Sequence, residues 1–480
     1  MKNKVLVNML WRFAERCGAQ GVAFVVTIVL ARLLNPSVYG TIALVTVFTT
    51  ILNVFIDSGF GSALIQKKDA DDVDFSTVFY FNITICVFLY VIMFFAAPFI
   101  ADFYNDESLV SIIRVLSLTL IISGVKNVQQ AYVSRTLQFK RFFFATLGGT
   151  VGAAIIGITL AYTGFGVWAL VVQQIFNALV DTVILWCTVK WRPKKKFSFE
   201  RLKGLFSYGW KLLASALLDT GYNNVRQLII GKLYSSSDLG YYNKGKQFPN
   251  LIITNVNTAI DSVIFPVISS KQNDISEVKR FTRQAIKVSS FVIWPIVIGL
   301  AASAETVVRL LLTDKWLPCV PYLQIFCIVY GFWPIHTANL NAIKAVGRSD
   351  IFLKLEIIKK VVGVVSILVS MPFGVMPMAL AYLATSPISA IVNATPNRKL
   401  LGYKYIEQLR DMLPSMILSA VMGLCVFLVG LIQMNLFLVL LLQIVTGVII
   451  YISLSKIFKL DAFAYVWGQV KGNLDKVKRH

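Results

Sequence analysis

The sequence predicts an all-α polytopic membrane protein of about 14 transmembrane helices, with two six-helix lobes and two extra C-terminal helices. Three observations indicate this fold. Apolar segments of membrane-spanning length recur along the chain, basic residues cluster in alternate loops, and the chain resembles itself at an offset of about 200 residues. Hydrophobic residues form 57% of the 480 residues and charged residues only 15%, whereas soluble proteins carry about 25% charged residues.

The predicted spans are apolar segments with lengths near the ~20 residues that a helix needs to cross the hydrocarbon core. In chain order they are 9–33, 38–65, 75–99, 108–132, 142–163, 167–189, 206–233, 239–267, 286–312, 319–343, 352–372, 376–395, 411–431 and 435–455. The loops between them are short, so no separate catalytic domain is expected. The function should therefore lie within the membrane.

The basic residues behind the net charge of +22 are unevenly distributed among the loops. Basic residues fall in every second loop, for example at Lys67 and Lys68 and at 190–196, while an intervening loop reads DFYNDES (102–108). This positive-inside bias predicts that both termini lie in the cytoplasm, which requires an even number of spans. It also argues against a nucleic-acid partner, because the placement of basic residues in alternate loops is the pattern of a membrane protein.

Cysteine and histidine give no sign of a metal site. The six cysteines are scattered, and the chain has only two histidines, His336 and His480. No spacing typical of zinc or haem ligands occurs. We therefore expect neither a metal nor another bound cofactor.

An internal repeat predicts the two lobes. The segment ARLLNPSVYG (31–40) aligns with GKLYSSSDLG (231–240), and the tripeptide IDS occurs at both 56–58 and 260–262. Six spans separate the two copies, so the halves have the same orientation and are related by a pseudo-two-fold axis along the membrane normal. A cleft between such halves can open to either side of the membrane, which predicts a central cavity.

The repeat and the charge pattern together predict five regions. They are an N-terminal lobe (1–189), a basic cytoplasmic linker (190–205), a C-terminal lobe (206–396), two additional spans (397–455) and a basic cytoplasmic tail (456–480). The tail alternates apolar and basic residues, which favours an amphipathic helix on the anionic membrane surface. A partner-binding tail is the alternative.

Polar residues form stripes along several predicted spans. Steps of three and four residues keep side chains on one helix face. The stripe of the seventh span is Lys211, Ser215, Asp219, Tyr222 and Arg226, and that of the eighth is Lys246, Asn250, Thr254, Asn257 and Asp261. The first span offers Arg12 and Arg16, the second offers Asp57, and the fourth carries Lys126.

A charged residue in mid-membrane costs roughly 2.5–3.5 kcal/mol on insertion scales, so several on one face indicate a hydrophilic cavity or mutual pairing. On the cavity interpretation the substrate-binding cations are Arg12, Arg16, Lys126, Lys211, Arg226 and Lys246. The polar or ion-coupling residues are Asp57, Asp219, Asp261, Asn250 and Asn257. The alternative is that these charges are static pairs that fix helix packing, and Arg12 is shallow enough to reach the interface.

Five segments resemble the polysaccharide transporter family of the MOP exporter superfamily. They are ARLLNPSVYGTIALVTVF, FIDSGFGSALIQKKD, WRPKKKFSFERLKGLFSYGWKLL, IGKLYSSSDLGYYNKG and AETVVRLLLTDKWLPCVPYLQIF. The resemblance runs from about residue 8 to residue 400. Within the family the chain is most similar to the Wzx-type flippases of the colanic acid and teichuronic acid exporter subgroup.

The resemblance implies a function as well as a fold. It implies a bacterial inner-membrane flippase that moves undecaprenyl-diphosphate-linked oligosaccharide from the cytoplasmic to the outer leaflet by alternating access. The process served would be the biosynthesis of O-antigen, capsule or exopolysaccharide. Coupling to a proton or sodium gradient and contact with a polysaccharide polymerase complex are also implied. By transfer onto matching spans, the resemblance gives Arg12, Arg16 and Arg226 the role of holding the diphosphate.

Other classes of function remain open. A cation-coupled multidrug exporter of the same superfamily is the nearest alternative, although a net-positive cavity suits cationic drugs poorly. A polymerase or ligase acting on the same lipid would be expected to carry a large outward loop with catalytic residues, so an enzyme is not expected. A non-transporting scaffold would not need charged stripes in both halves.

Overall fold

The computed structural model describes residues 2–57, 60–67 and 69–468, which form helices joined by short loops and contain no strand. Contacts divide the chain into two compact units, with the division between Gly240 and Tyr241. Each unit is described by itself below. The predicted all-helical architecture is confirmed for the described residues.

The first unit holds nine helices among its described residues. They are α1 (Lys2–Leu33), α2 (Pro36–Asp57), α3 (Phe60–Gln66), α4 (Asp72–Tyr104), α5 (Ser108–Leu116), α6 (Leu118–Arg135), α7 (Lys140–Tyr162), α8 (Val167–Thr188) and α9 (Phe199–Leu233). α7 packs between α1 and α8, α4 packs along α6, and α9 packs along α2 and α4. α4 begins where the side chain of Asp71 accepts hydrogen bonds from the backbone N–H groups of Val73 and Asp74, a capping box.

The second unit follows from α10 (Ser236–Ser270), whose first residues belong to the first unit. The later helices are α11 (Ile275–Ala302), α12 (Ala304–Leu312), α13 (Val320–Gly331), α14 (Trp333–Ala345), α15 (Ser349–Ser370), α16 (Val375–Leu400), α17 (Tyr405–Gly430) and α18 (Leu436–Ile457). α17 packs along α11, and α18 packs along α17. The two additional spans are therefore packed against the other helices of this unit.

Eleven helices of the described residues are long and apolar enough to cross a membrane. The remaining three predicted spans fall on α1, α9 and α15. α1 is apolar only over Cys17–Leu33, and α9 and α15 carry several charged residues along their length. The count of fourteen spans stays a prediction. The structure also differs from several predicted boundaries. The ninth span, for example, was predicted over 286–312, whereas α11 begins at Ile275 and a break at Ser303 separates it from α12.

The two aligned segments of the internal repeat touch each other, within the first unit. A Cβ atom added to Gly40 would lie 1.6 Å from the carbonyl oxygen of Ser236, and one added to Gly240 would lie 2.2 Å from that of Pro36. Pro36 and Ser236 occupy matching positions of the two segments, so the contact is reciprocal, as between copies related by a two-fold axis. Backbones can approach this closely only where neither residue carries a side chain. The symmetry of the complete lobes stays a prediction.

The predicted linker 190–205 is partly built into the first unit. Its Trp191 is 6% exposed and packs on Phe75 and Phe79. Gln129 Nε2 donates to the Trp191 carbonyl oxygen at 3.1 Å. The part from 190 to 198, called the strap below, is therefore held in place. A division by contacts need not follow a division by ancestry, so the predicted lobe boundaries at 189 and 206 stay predictions, although α9 packs in the first unit.

Candidate functional site

For four predicted site residues the structure describes the helix but not the side chain. Arg12 and Arg16 lie on α1, Asp57 is the last residue of α2, and Lys211 lies on α9. Their predicted roles in a cationic, polar site therefore fall outside the described residues and stay predictions.

Lys126 is part of an ion pair inside the membrane-spanning part of the first unit. Its ammonium lies 2.9 Å from Oδ2 of Asp181, so α6 and α8 are joined near the middle of α6. The side chains are 19% and 14% exposed, which means that each charge is shielded mainly by the other. Sequence reasoning did not single out Asp181. The signal was present, because an acid inside an apolar span needs a partner.

The surroundings of this pair are polar as well. Asn82 Nδ2 on α4 donates to Asn127 Oδ1 on α6 at 3.3 Å, and both side chains are buried. Next to Asp181 the backbone of α7 comes close: a Cβ atom on Gly149 would lie 2.7 Å from Asn177 Oδ1. A glycine at this position lets α8 place its polar face against α7. The first unit thus contains a polar layer across α4, α6, α7 and α8.

The two predicted site residues of α9 whose side chains are described, Asp219 and Arg226, differ in burial. Arg226 is 9% exposed, whereas Asp219 is exposed and accepts a hydrogen bond from Asn223 Nδ2 at 3.2 Å. A guanidinium buried inside a membrane helix is rare unless it has a partner or a function. Arg226 is therefore a buried cation of α9 that needs such a partner or role, and its role in binding stays a prediction.

The stripe of α10 is divided by its contacts in the second unit. Asn257 accepts a hydrogen bond from Thr337 Oγ1 at 3.0 Å, and Asp261 accepts one from Asn341 Nδ2. The partners, like their acceptors, are four residues apart, so one face of α10 lies along one face of α14. This contact favours the packing interpretation for Asn257 and Asp261, and their role in ion coupling stays a prediction.

The earlier part of the α10 stripe has more access. Asn250 is exposed and accepts a hydrogen bond only at 3.3 Å, from Thr254 Oγ1 on the same helix. Lys246, one turn before it, is half-buried. Asn250 therefore has an accessible side chain, and the predicted roles of Lys246 and Asn250 stay predictions.

A second polar centre, which sequence reasoning missed, ties α17 to α11. The carboxylate of Asp411 is 4% exposed and accepts from Arg283 Nε at 2.7 Å and Nη2 at 2.8 Å. The hydroxyl of Tyr403 donates to the same carboxylate at 2.7 Å. Burial raises the pKa of the Tyr403 hydroxyl, and the neighbouring carboxylate raises it further. An arginine and a carboxylate on two different helices, 128 residues apart, give no sequence signal for such a pair.

This centre gives a stability prediction. Asp411→Ala should lower the free energy of unfolding by about 1–3 kcal/mol, less than for a fully buried pair because the Arg283 side chain is 50% exposed. The measurement is a thermal melt in detergent, with Asp350→Ala as control because its pair with Arg348 is exposed on both sides. Equal melting temperatures for the two variants would contradict the prediction.

An ionic cluster fixes one end of the first unit. Lys67 Nζ lies 2.8 Å from both oxygens of the fully buried Asp74 carboxylate. The guanidinium of Arg201 donates to Asp71 and lies 3.6 Å from Asp74. The hydrogen bond from Arg201 lowers the pKa of Asp71 to about 2. α9 therefore starts where α3 ends and α4 begins.

α4 and α9 also meet at their other ends. The Tyr104 hydroxyl donates to the carbonyl oxygen of Leu228 at 3.4 Å, and Lys232 Nζ donates to that of Phe103. α4 and α9 consequently run side by side in the same direction, which agrees with their predicted spans both starting in the cytoplasm.

Among the described residues, no three histidine, cysteine or acidic side chains gather as they would around a metal ion.

Helices of membrane-spanning length, with paired and buried charges inside them, define a multi-pass membrane protein of transporter type. Comparison with known proteins identifies the group. A family model described as polysaccharide biosynthesis protein matches residues 29–321. The chain belongs to this family, and the predicted relationship to polysaccharide transporters is confirmed.

Individual relatives agree with this assignment. Teichuronic acid biosynthesis protein TuaB of Bacillus subtilis (strain 168) is 26% identical over 311 residues, which is 63% of this chain and 63% of that protein. Succinoglycan biosynthesis transport protein ExoT of Rhizobium meliloti (strain 1021) is 23% identical over 85% of this chain and 81% of its own length.

Solved structures show the fold. The lipid II flippase MurJ in an inward closed conformation covers 94% of this chain and 98% of its own, with a TM-score of 0.77 at 14% identity. An inward-facing multidrug resistance transporter of the MATE family of the MOP superfamily covers 82% and 94%, with a TM-score of 0.63 at 15% identity. The chain has the fold of this superfamily.

Proposed function

We propose that the chain is a flippase for undecaprenyl-diphosphate-linked oligosaccharide, moving it from the cytoplasmic to the outer leaflet of a bacterial inner membrane by alternating access. The process it serves is the biosynthesis of O-antigen, capsule or exopolysaccharide. Membership of a polysaccharide biosynthesis family supports the cargo class. The printed names of ExoT, a transport protein, and MurJ, a lipid II flippase, support the kind of step.

The observation that carries the proposal is the presence of a buried Arg226 and a half-buried Lys126 inside helices of the first unit. A diphosphate carries negative charge through the membrane, and cations must replace the water around it. The planar guanidinium of Arg226 can donate two hydrogen bonds to one phosphate, whereas the Lys126 ammonium acts as a point charge. Lys246 and Asn250 on α10 would meet the same head group or its sugars.

The proposal also contains parts that rest on sequence alone. Fourteen spans, two symmetric lobes around a central cavity and cytoplasmic termini follow from the hydropathy, repeat and charge patterns. Coupling to a proton or sodium gradient, through Asp57, Asp219 or Asp261, and contact with a polysaccharide polymerase complex follow from the family resemblance. No catalytic step is proposed.

The test is a flipping assay with purified protein in liposomes that contain undecaprenyl-diphosphate-linked oligosaccharide. Sugar that appears on the opposite leaflet is detected with an impermeant lectin, with and without an imposed ion gradient. Arg226→Ala should slow flipping by about tenfold or more, because a hydrogen bond to a charged group contributes about 1.5–3 kcal/mol. Arg398→Ala, which removes an exposed arginine at the end of α16, should flip at the wild-type rate.

The outcomes separate the rival functions. Flipping by wild type and Arg226→Ala at equal rates would keep the flippase and remove Arg226 from its site. Efflux of a cationic dye without flipping of any glycolipid would favour the multidrug exporter. The similarity to a MATE-family structure makes the multidrug exporter the alternative to exclude. The predicted excess of cations over acids in the cavity argues against it, because such a cavity suits cationic drugs poorly.

A further inference from the structure

The strap is fixed along its length, beyond its buried tryptophan. The backbone N–H of Lys194 donates to Ser76 Oγ at 2.9 Å, and its ammonium lies 2.5 Å from an oxygen of Asp72. Four residues later the backbone N–H of Ser198 donates to Thr77 Oγ1 at 3.1 Å. Because the strap is attached at residues 191, 194 and 198, the residues between these points are held with one side outward.

That outward side is basic and aromatic. Lys195 and Lys196 are exposed, and neither is the partner of an acidic residue in the ion pairs of the described residues. Phe197 is 43% exposed and Phe199 is 79% exposed, and their rings meet edge to face with centroids 4.8 Å apart. Two phenylalanines exposed together on a fixed backbone leave apolar surface that needs an apolar partner.

The first turns of α9 continue the same surface. Leu202 and Leu205 are buried against the first unit. On the other face, steps of four, three and four residues line up side chains that are all exposed, namely Phe199, Lys203, Phe206 and Trp210. This alternation of an apolar inner face and a basic, aromatic outer face is typical of helices at the membrane interface.

The length of α9 places this surface at headgroup level. Its 35 residues span about 50 Å at 1.5 Å per residue, whereas the hydrocarbon core is about 30 Å thick. α4, with 33 residues, runs beside α9 and meets it near both ends, and the strap joins α9 at the end where Arg201 contacts Asp71. That basic end is the predicted cytoplasmic one, where aromatic side chains settle among headgroups and lysines attract anionic lipid.

We propose that the strap and the start of α9 form a binding site for anionic phospholipid of the cytoplasmic leaflet. The site consists of Lys195, Lys196 and Lys203, which contact phosphate, and Phe197, Phe199 and Trp210, which pack on the upper acyl chains. Charge complementarity selects this occupant, since the site presents three lysines free to face the headgroups. The site includes neither Lys126 nor Arg226, so it does not depend on the proposed cargo.

The test is native mass spectrometry of the full-length protein in detergent, titrated with phosphatidylglycerol or phosphatidylcholine. Lys195→Ala/Lys196→Ala/Lys203→Ala should weaken phosphatidylglycerol binding by at least about fivefold, the effect of losing one surface lysine, and leave phosphatidylcholine binding unchanged. Phe197→Ser/Phe199→Ser should weaken binding of both lipids, because it removes apolar contact and no charge.

A matched control removes the same charge elsewhere. Lys271→Ala/Lys399→Ala/Lys404→Ala replaces three exposed lysines and should retain the wild-type preference for phosphatidylglycerol. An equal loss in the control would overturn the proposal, as would wild-type binding by the strap variant. A strap variant that binds phosphatidylglycerol normally but no longer binds undecaprenyl diphosphate would also overturn it, by giving the surface to the cargo. Unchanged melting temperatures show that the variants fold.

Discussion

Gly40→Ala and Gly240→Ala should each lower the free energy of unfolding by about 3 kcal/mol, the upper end of the usual cost of overpacking. A Cβ at Gly40 would meet the Ser236 carbonyl oxygen at 1.6 Å, and one at Gly240 would meet the Pro36 carbonyl oxygen at 2.2 Å. Both neighbours are backbone atoms, so no side-chain rotation can relieve the clash. The first residues of α2 and α10 would have to separate.

The reciprocal geometry makes a sharper expectation for the double variant. If both substitutions open the same contact, then Gly40→Ala/Gly240→Ala should cost clearly less than the sum of the single costs. The measurement is thermal unfolding in detergent, with Gly21→Ala on α1 as control, because nothing lies within 4 Å of its added Cβ. Additive losses, or single variants as stable as the control, would show that the two segments do not share a contact.

The sequence was sufficient to predict the all-helical architecture. Hydropathy and loop charge indicate spans because the bilayer imposes a length and a sidedness on every helix. The repeat aligned Gly40 with Gly240, but it did not predict that each glycine lies against the backbone of the other segment. An alignment shows which positions correspond, whereas a contact between them depends on tertiary packing.

Partners of the polar residues were harder to predict. Periodicity places Lys126 or Asp261 on a helix face, but it does not say which helix that face meets. Asp181 pairs with Lys126 across 55 residues of sequence, and Asn341 with Asp261 across 80. Trp191 lies in a strongly basic segment, and a single aromatic residue has no periodicity that would predict its burial. Charge and period fix a face, whereas pairing depends on tertiary packing.

The Lys126–Asp181 pair allows its two interpretations, static pairing and cargo binding, to be separated by reversing its charges. Lys126→Ala and Asp181→Ala should each destabilise the protein by about 2.5–3.5 kcal/mol, because each leaves one charge inside a membrane span without its partner. Lys126→Asp/Asp181→Lys restores the pair with the charges exchanged, so most of the lost stability should return. Thermal melts of the four proteins measure this step.

Transport then distinguishes the interpretations, because a phosphate is attracted to the ammonium at only one of the two positions. If Lys126 meets the diphosphate, the reversed pair should fold well and yet flip lipid-linked oligosaccharide about tenfold more slowly than wild type, the cost of losing one charge-assisted contact. If the pair only holds α6 against α8, the reversed protein should flip at the wild-type rate. A well-folded, fully active reversed protein would show that Lys126 does not bind the diphosphate. Arg226, which is buried among the described residues of the first unit, would then remain a candidate for that role.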